Sequence, residues 1–126
     1  FPDVKSVLER LSLHPVPLVL ASNTDRIDIE RALKETGIRS YFSQIYSAMD
    51  CVAPKPDPAV YEQAAKVTGV PKSDILVFED SAKGIEAAKA AGLIVWAIRD
   101  QQFGMDQSKA DKLVDSLEQA LEWLQL

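Results

Sequence analysis

The chain has 126 residues, 47% hydrophobic and 26% charged, with a net charge of −5. That suffices for one domain with a real core and is too little for two ordinary ones; the composition is that of a globular protein, not a disordered or low-complexity one. The acidic balance argues against a nucleic-acid partner, which needs a basic face. The longest apolar runs, such as Leu93–Ile98, fall far short of the roughly 20 residues that span a bilayer, so no membrane partner is expected. One cysteine, Cys51, excludes an intrachain disulfide and a CxxC zinc site. No charged-then-apolar leader pattern is present, and the cytoplasm is the expected location. The chain opens on Phe1 rather than Met and is expected to be a piece of something longer.

No repeat, Gly/Ser linker or charge block divides residues 1–126, which read as one continuous domain. Val4–Leu11 predicts an opening helix. Val16–Ala21 (VPLVLA) predicts a buried strand entered past Pro15 and Pro17. A helix over Asp25–Thr36 follows, with Ile29, Ala32 and Leu33 on one face and Gly37 as its stop. Gln44–Ala48 predicts a short strand. Pro58–Thr68 predicts a helix, with Asp57 placed to cap it and Pro58 at its first position, where a missing N–H costs nothing. Gly69 ends it.

Ile75–Phe78 (ILVF) predicts a strand, and Ser81–Ala91 an Ala-rich helix closed by Gly92. Its small residues would let it lie close to a sheet. Leu93–Ile98 and Lys112–Val114 predict two more strands, and Leu117–Leu124 a terminal helix. Strands and helices that alternate at this length imply an α/β fold, a parallel sheet with helices on both faces. Ligands of such sheets sit outside the carboxyl ends of the strands.

Three groups of residues stand at those ends. The first strand leads into Ser22-Asn23-Thr24-Asp25, the second through a loop to Pro54-Lys55-Pro56-Asp57-Pro58, the third into Glu79-Asp80-Ser81. Ser22 and Asn23 precede a helix and suit capping; free N–H groups at a helix start also attract anions. Lys55 sits between two prolines that restrict the backbone, which aims its ammonium. A fixed ammonium suits an anionic substrate. Glu79 and Asp80 are adjacent carboxylates, which repel by about 4 kcal/mol at about 4 Å and an effective dielectric near 20. A hard cation would convert that repulsion into coordination, and an oxygen-only donor set points to Mg²⁺. Capping by Asp80 or Ser81 is the plainer alternative. His14 precedes the first strand, away from this rim, and Cys51 reads as a small buried or loop hydrophobe. Trp96 and Trp123 read as packing residues.

Together these stretches resemble the haloacid dehalogenase (HAD) superfamily, in particular its β-phosphoglucomutase-like phosphatase branch. The carriers are the strand ending in Ser22-Asn23, Lys55 in a KPDP loop, and VFEDSAKGIEAAKAAG over Val77–Gly92. From Ser22 to Lys55 is 33 residues, and from Lys55 to Asp80 is 25. The resemblance implies a three-layer, Rossmann-like parallel sheet. It implies that Ser22 and Asn23 bind a phosphoryl group and that Lys55 neutralises it. It implies that Glu79 and Asp80 hold Mg²⁺. The substrate class would be a small phosphorylated metabolite, transferred through an aspartyl-phosphate.

The family's first motif, Asp-x-Asp after a central strand, occurs nowhere in the chain. Its helical cap domain is missing too. The expectation is therefore an incomplete sheet, open between the strands that end in Ser22 and Glu79. The chain would be the C-terminal part of a HAD-like core, completed by an N-terminal strand from the same polypeptide or a complementing segment. The missing motif carries the nucleophile, so the chain alone is expected to be inactive. The competing readings are a catalytically dead remnant that serves as a binding module, and a haloacid dehalogenase proper, against which the Glu79-Asp80 pair speaks.

Overall fold

The computed structural model describes residues 4–51 and 53–126. Among the described residues five α-helices and five strands alternate, except that β4 runs on to β5 through a loop. Helix α1 is Val4–Leu11, then come β1 (Val19–Ser22), α2 (Arg26–Thr36), β2 (Gln44–Ser47) and α3 (Ala59–Thr68). The second half runs β3 (Leu76–Glu79), α4 (Ala82–Ala90), β4 (Ile94–Ile98), β5 (Lys112–Val114) and α5 (Leu117–Leu124). Among the described residues every strand pairing is parallel; helices make the crossovers from β1 to β2 and from β3 to β4, and a long loop makes the one from β4 to β5.

Local chemistry sets the helix ends. Asp25 Oδ1 accepts the amide of Asp28 at 3.0 Å and opens α2, while Gly37, at φ +74°, closes it in the left-handed region that glycine adopts freely. Ser81 and Ser116 open α4 and α5 in the same way, each hydroxyl accepting an amide three residues on.

The strands form two sheets. β1 pairs with β2, with Ser22 opposite Ser47; β3 pairs with β4 and β4 with β5. Among the described residues no pairing joins β1 to β3. Helices α3 and α4 bridge the division. Tyr46, Val60, Ala64, Val77, Ile85 and Val95 share one buried cluster that draws on both sheets. Ile85 is 1% exposed, and complete burial of such a side chain stabilises by about 1.5–3 kcal/mol. Ala87 and Ala88 admit the close approach of α4 expected from their size.

Strand alternation assigns the opposite faces. Leu20 and Ile45 turn to Ile29 and Leu33 of α2, and Phe78, Trp96 and Ile98 turn to Leu117 and Ala120 of α5. Helix α1 packs on α5 through Val7, Leu11 and Leu121. The three layers and the open division between β1 and β3 agree with the sequence reading. All four residues of β1 are half-buried, whereas Ile45, Tyr46 and Ser47 of β2 are buried.

Several boundaries move. β1 begins at Val19 rather than Val16, because Pro15 and Pro17 have no N–H for a ladder; its edge is announced by Ser43 N donating to Leu18 O at 2.8 Å. α3 begins at Ala59, with Pro58 as the cap residue, and Asp57 Oδ1 accepts the Ala59 amide at 2.9 Å. β3 runs one residue later than the apolar run suggests, so Glu79 is its last residue. Trp96 packs edge-on against both Phe78 and Trp123, with each pair of ring centroids 6.3 Å apart. Cys51 is a half-buried free thiol whose sulfur lies 3.4 Å from Gln63 Oε1. Among the described residues no helix is long and apolar enough to cross a membrane.

Candidate active site

The carboxyl ends of β1 and β3 meet through one side chain. Lys55 lies in the loop before α3 and is only 9% exposed. Its ammonium donates to Ala21 O at 3.1 Å, to Tyr61 Oη at 3.3 Å and to Glu79 Oε2 at 2.6 Å. An ammonium has three protons, and all three are used. The Glu79 side chain is 10% exposed, so the ion pair is largely withdrawn from water.

The loop itself is tethered. Asn23 Oδ1 accepts the backbone N–H of Lys55 at 2.9 Å. Asn23 thus binds β1's end to the lysine loop, across 32 residues of chain. Ser22 Oγ accepts the Thr24 amide at 3.1 Å, a local turn. Ser47, the neighbour of Ser22 across the ladder, is buried and donates to Thr24 O at 2.7 Å. The turn that carries Ser22 and Asn23 is therefore held from two sides.

Sequence reasoning missed two residues. Tyr61, in the first turn of α3, donates its hydroxyl to Glu79 Oε2, the same oxygen that takes Lys55. Burial, then the charge of Glu79 and the hydrogen bond to it, raises the Tyr61 phenol far above the usual tyrosine range, with Asp80 adding to the effect. The group therefore stays protonated and remains a donor. Gly84 is the second. A Cβ there would overlap the Glu79 carboxylate, which lies directly against the first turn of α4. A glycine inside an Ala-rich helix costs about 1 kcal/mol relative to alanine, and that cost was the available signal. For Tyr61 the sequence held no signal beyond a tyrosine six residues from Lys55.

Asp80 differs from Glu79. It is exposed, and among the described residues no hydrogen bond or ion pair engages its carboxylate. Its backbone carbonyl accepts Gln107 Nε2 at 2.9 Å, and the same amide nitrogen donates to Ile98 O at 2.7 Å. Gln107 so ties the β4–β5 loop to the ends of β3 and β4. That loop winds on Asp100, whose carboxylate accepts the amides of Gln102, Phe103 and Met105, which hold its carboxyl below the usual range. A cleft of about 340 Å³ lies beside Asp80, lined also by Ile98, Asp100, Phe103 and Asp115.

A hard cation would meet oxygen donors only. Asp80 offers a free carboxylate, and Glu79 offers Oε1, which no hydrogen bond engages among the described residues; its Oε2 is taken. No group of three or more His, Cys, Asp or Glu side chains gathers among the described residues. Two carboxylates fit part of an octahedral Mg²⁺ shell, which commonly keeps several waters. The structure thus joins Asn23, Lys55 and Glu79 by direct hydrogen bonds. Ser22 and Asp80 stand next to that chain of contacts without joining it.

An aimed ammonium, a hydroxyl–amide turn and a carboxylate pair thus stand on the carboxyl rim of a three-layer parallel α/β fold. The haloacid dehalogenase-like hydrolase family matches residues 1–98, and the chain belongs to that family. A phosphoglycolate phosphatase of Neisseria gonorrhoeae is 30% identical over 131 residues, covering 99% of this chain and 56% of that protein. An (S)-2-haloacid dehalogenase of Pseudomonas sp. (strain CBS-3) is 30% identical over 121 residues, covering 94% of this chain and 53% of that protein. Among solved structures, a Thermotoga maritima protein provisionally named β-phosphoglucomutase superposes with a TM-score of 0.88 at 27% identity, covering 99% of this chain and 59% of that one. The chain spans about half the length of these two relatives, the phosphatase and the dehalogenase.

Proposed function

We propose that the chain is part of a Mg²⁺-dependent phosphatase or phosphomutase that acts on small phosphorylated metabolites in the cytoplasm. The observation that carries this reading is the buried Lys55 ammonium, held between the ends of β1 and β3 where the sheet stands open. A phosphoryl oxygen approaching from that opening would replace the longest and only neutral side-chain contact, Tyr61 Oη at 3.3 Å. Ser22 Oγ and the Asn23 turn would flank the phosphoryl group. Asp80 and Oε1 of Glu79 would hold the cation, which supplies charge neutralisation at the transferring phosphoryl group.

The nucleophile is proposed to enter on a further strand that fills the gap between β1 and β3, from the same polypeptide or a complementing segment. Its carboxylate would form a bond to phosphorus as the bond to the leaving alcohol oxygen breaks, and water or a second sugar hydroxyl would then take the phosphoryl group. The free flanks of β1 and β3 support the added strand, since each orphaned buried backbone group costs about 1–3 kcal/mol. The isolated chain is therefore expected to lack a cooperative monomeric unfolding transition.

The test is hydrolysis of a generic aryl phosphate by the complete polypeptide, or by this chain mixed with a segment carrying the missing strand. Turnover that requires Mg²⁺ and stops with EDTA is expected. Absence of any Mg²⁺-dependent hydrolysis or phosphoryl transfer across a panel of metabolites would reject the reading. The dehalogenase relative motivates one comparison: activity on a 2-haloacid that survives EDTA would assign the chain to that chemistry instead. The complete internal pairing of Lys55 favours, as a second reading, a binding module without catalysis; phosphate binding with no turnover by the complete polypeptide would establish it.

A further inference from the structure

Tyr61 has no place in the roles above, yet it touches two of their residues. Its hydroxyl donates to Glu79 Oε2 and accepts from Lys55 Nζ, and its side chain is buried in the core on α3. The Lys55 ammonium also lies 4.9 Å from its ring centroid. Gly84 lies against the same carboxylate, where even one added carbon would overlap both of its oxygens. The carboxylate is thus gripped at one oxygen by two donors and backed by a helix.

We infer that Tyr61 is a positioning residue that, together with Lys55, holds Oε2 of Glu79 and leaves Oε1 for the cation. The inference rests on reading Glu79 and Asp80 as cation ligands. Its consequence is selectivity. A carboxylate limited to one oxygen suits the compact octahedral shell of Mg²⁺. A carboxylate free to chelate through both oxygens suits the larger, more flexible shell of Ca²⁺. Tyr61 would therefore act against Ca²⁺ without touching a metal.

The experiment is calorimetric titration of the complete polypeptide with Mg²⁺ and with Ca²⁺, in wild type and Tyr61→Phe. Phenylalanine keeps the ring and its packing and removes only the hydroxyl. The expected result is a shift of the Ca²⁺/Mg²⁺ affinity ratio toward Ca²⁺ by about three- to tenfold, the scale of one typical net hydrogen bond. A residue needed only for packing would weaken both ions alike or neither. An unchanged ratio in a protein that binds Mg²⁺ overturns the role of Tyr61 and leaves the functional reading standing. A wild type that binds no Mg²⁺ overturns the functional reading and the inference with it. Loss of cooperative melting in Tyr61→Phe would overturn the inference too, by making the hydroxyl a requirement of the fold.

Discussion

The two carboxylates at the end of β3 are neighbours in sequence and opposites in environment. Glu79 is the last strand residue, 10% exposed at its side chain, and bonded to Lys55 and Tyr61. Asp80 is one residue on, exposed, with its carboxylate free among the described residues. The difference follows from position: Glu79 ends β3, with its carboxylate set between Lys55, Tyr61 and the first turn of α4, whereas Asp80 lies past the strand in the exposed turn that leads into α4. One rim therefore holds a closed half, which is fixed before any ligand arrives, and an open half, which can receive one. Fixed donors cost no reorganisation when charge develops near them. Open carboxylates keep the capacity to coordinate.

The closed half should be the half that the fold depends on. Removing one partner of a buried ion pair leaves the other charge uncompensated, at a cost of about 3–5 kcal/mol. Lys55→Ala is expected to destabilise the complete polypeptide by that amount in urea unfolding, because Glu79 has no other ion-pair partner among the described residues. It should also weaken binding of inorganic phosphate or vanadate by about 1.5–3 kcal/mol, the scale of one charge-assisted hydrogen bond. A loss of stability below about 1 kcal/mol, the ordinary value for an exposed pair, would show that the pair is not closed in solution.

Gly84 gives a sharper test, since its expected effect changes sign. In an exposed helix Gly→Ala stabilises by about 1 kcal/mol. Here the new Cβ would strike the Glu79 carboxylate, which cannot withdraw without breaking its contacts to Lys55 and Tyr61. Gly84→Ala is expected to destabilise by about 1–3 kcal/mol, the scale of a disrupted buried hydrogen bond to a charged group. In a Glu79→Ala background the obstruction is gone, and the same substitution should stabilise. A double-mutant cycle by urea unfolding measures the coupling. Equal effects in both backgrounds would mean that Gly84 and Glu79 do not press on each other.

The sequence made the architecture legible because each element carries its own signal. Ile29 and Leu33 share a helical face, Asp25 and Gly37 bound it, and the short apolar run ILVF between turn residues marks a strand to within one residue. α1, β5 and α5 lie within the predicted bounds to the residue. The start of β1 lies later than the apolar run suggests, because that run includes Pro17, which has no N–H to donate to a ladder. The residues of the rim were legible as types at strand ends. Their division of labour was not. Asn23 holds the Lys55 loop through its side-chain oxygen, and Tyr61 grips Glu79 across 18 residues of chain. Such contacts depend on where α3 is set down against β3, which no local pattern encodes. Gly84 was visible only as an exception, a poor helix former where alanine would serve.

The open half is predicted to separate function from stability. Asp80→Asn changes a side chain with no partner among the described residues, on an exposed surface. Substitutions of that kind shift stability by no more than about 0.5 kcal/mol. Mg²⁺ affinity is expected to fall on the order of tenfold or more, since a charged donor becomes a neutral one and a charge-assisted interaction contributes about 1.5–3 kcal/mol. Isothermal titration with Mg²⁺ beside urea unfolding reads both quantities on one sample. An unchanged Mg²⁺ affinity would remove Asp80 from the cation's shell. An intact affinity combined with lost stability would reverse the comparison, making Asp80 the structural carboxylate and leaving Glu79 as the cation's carboxylate.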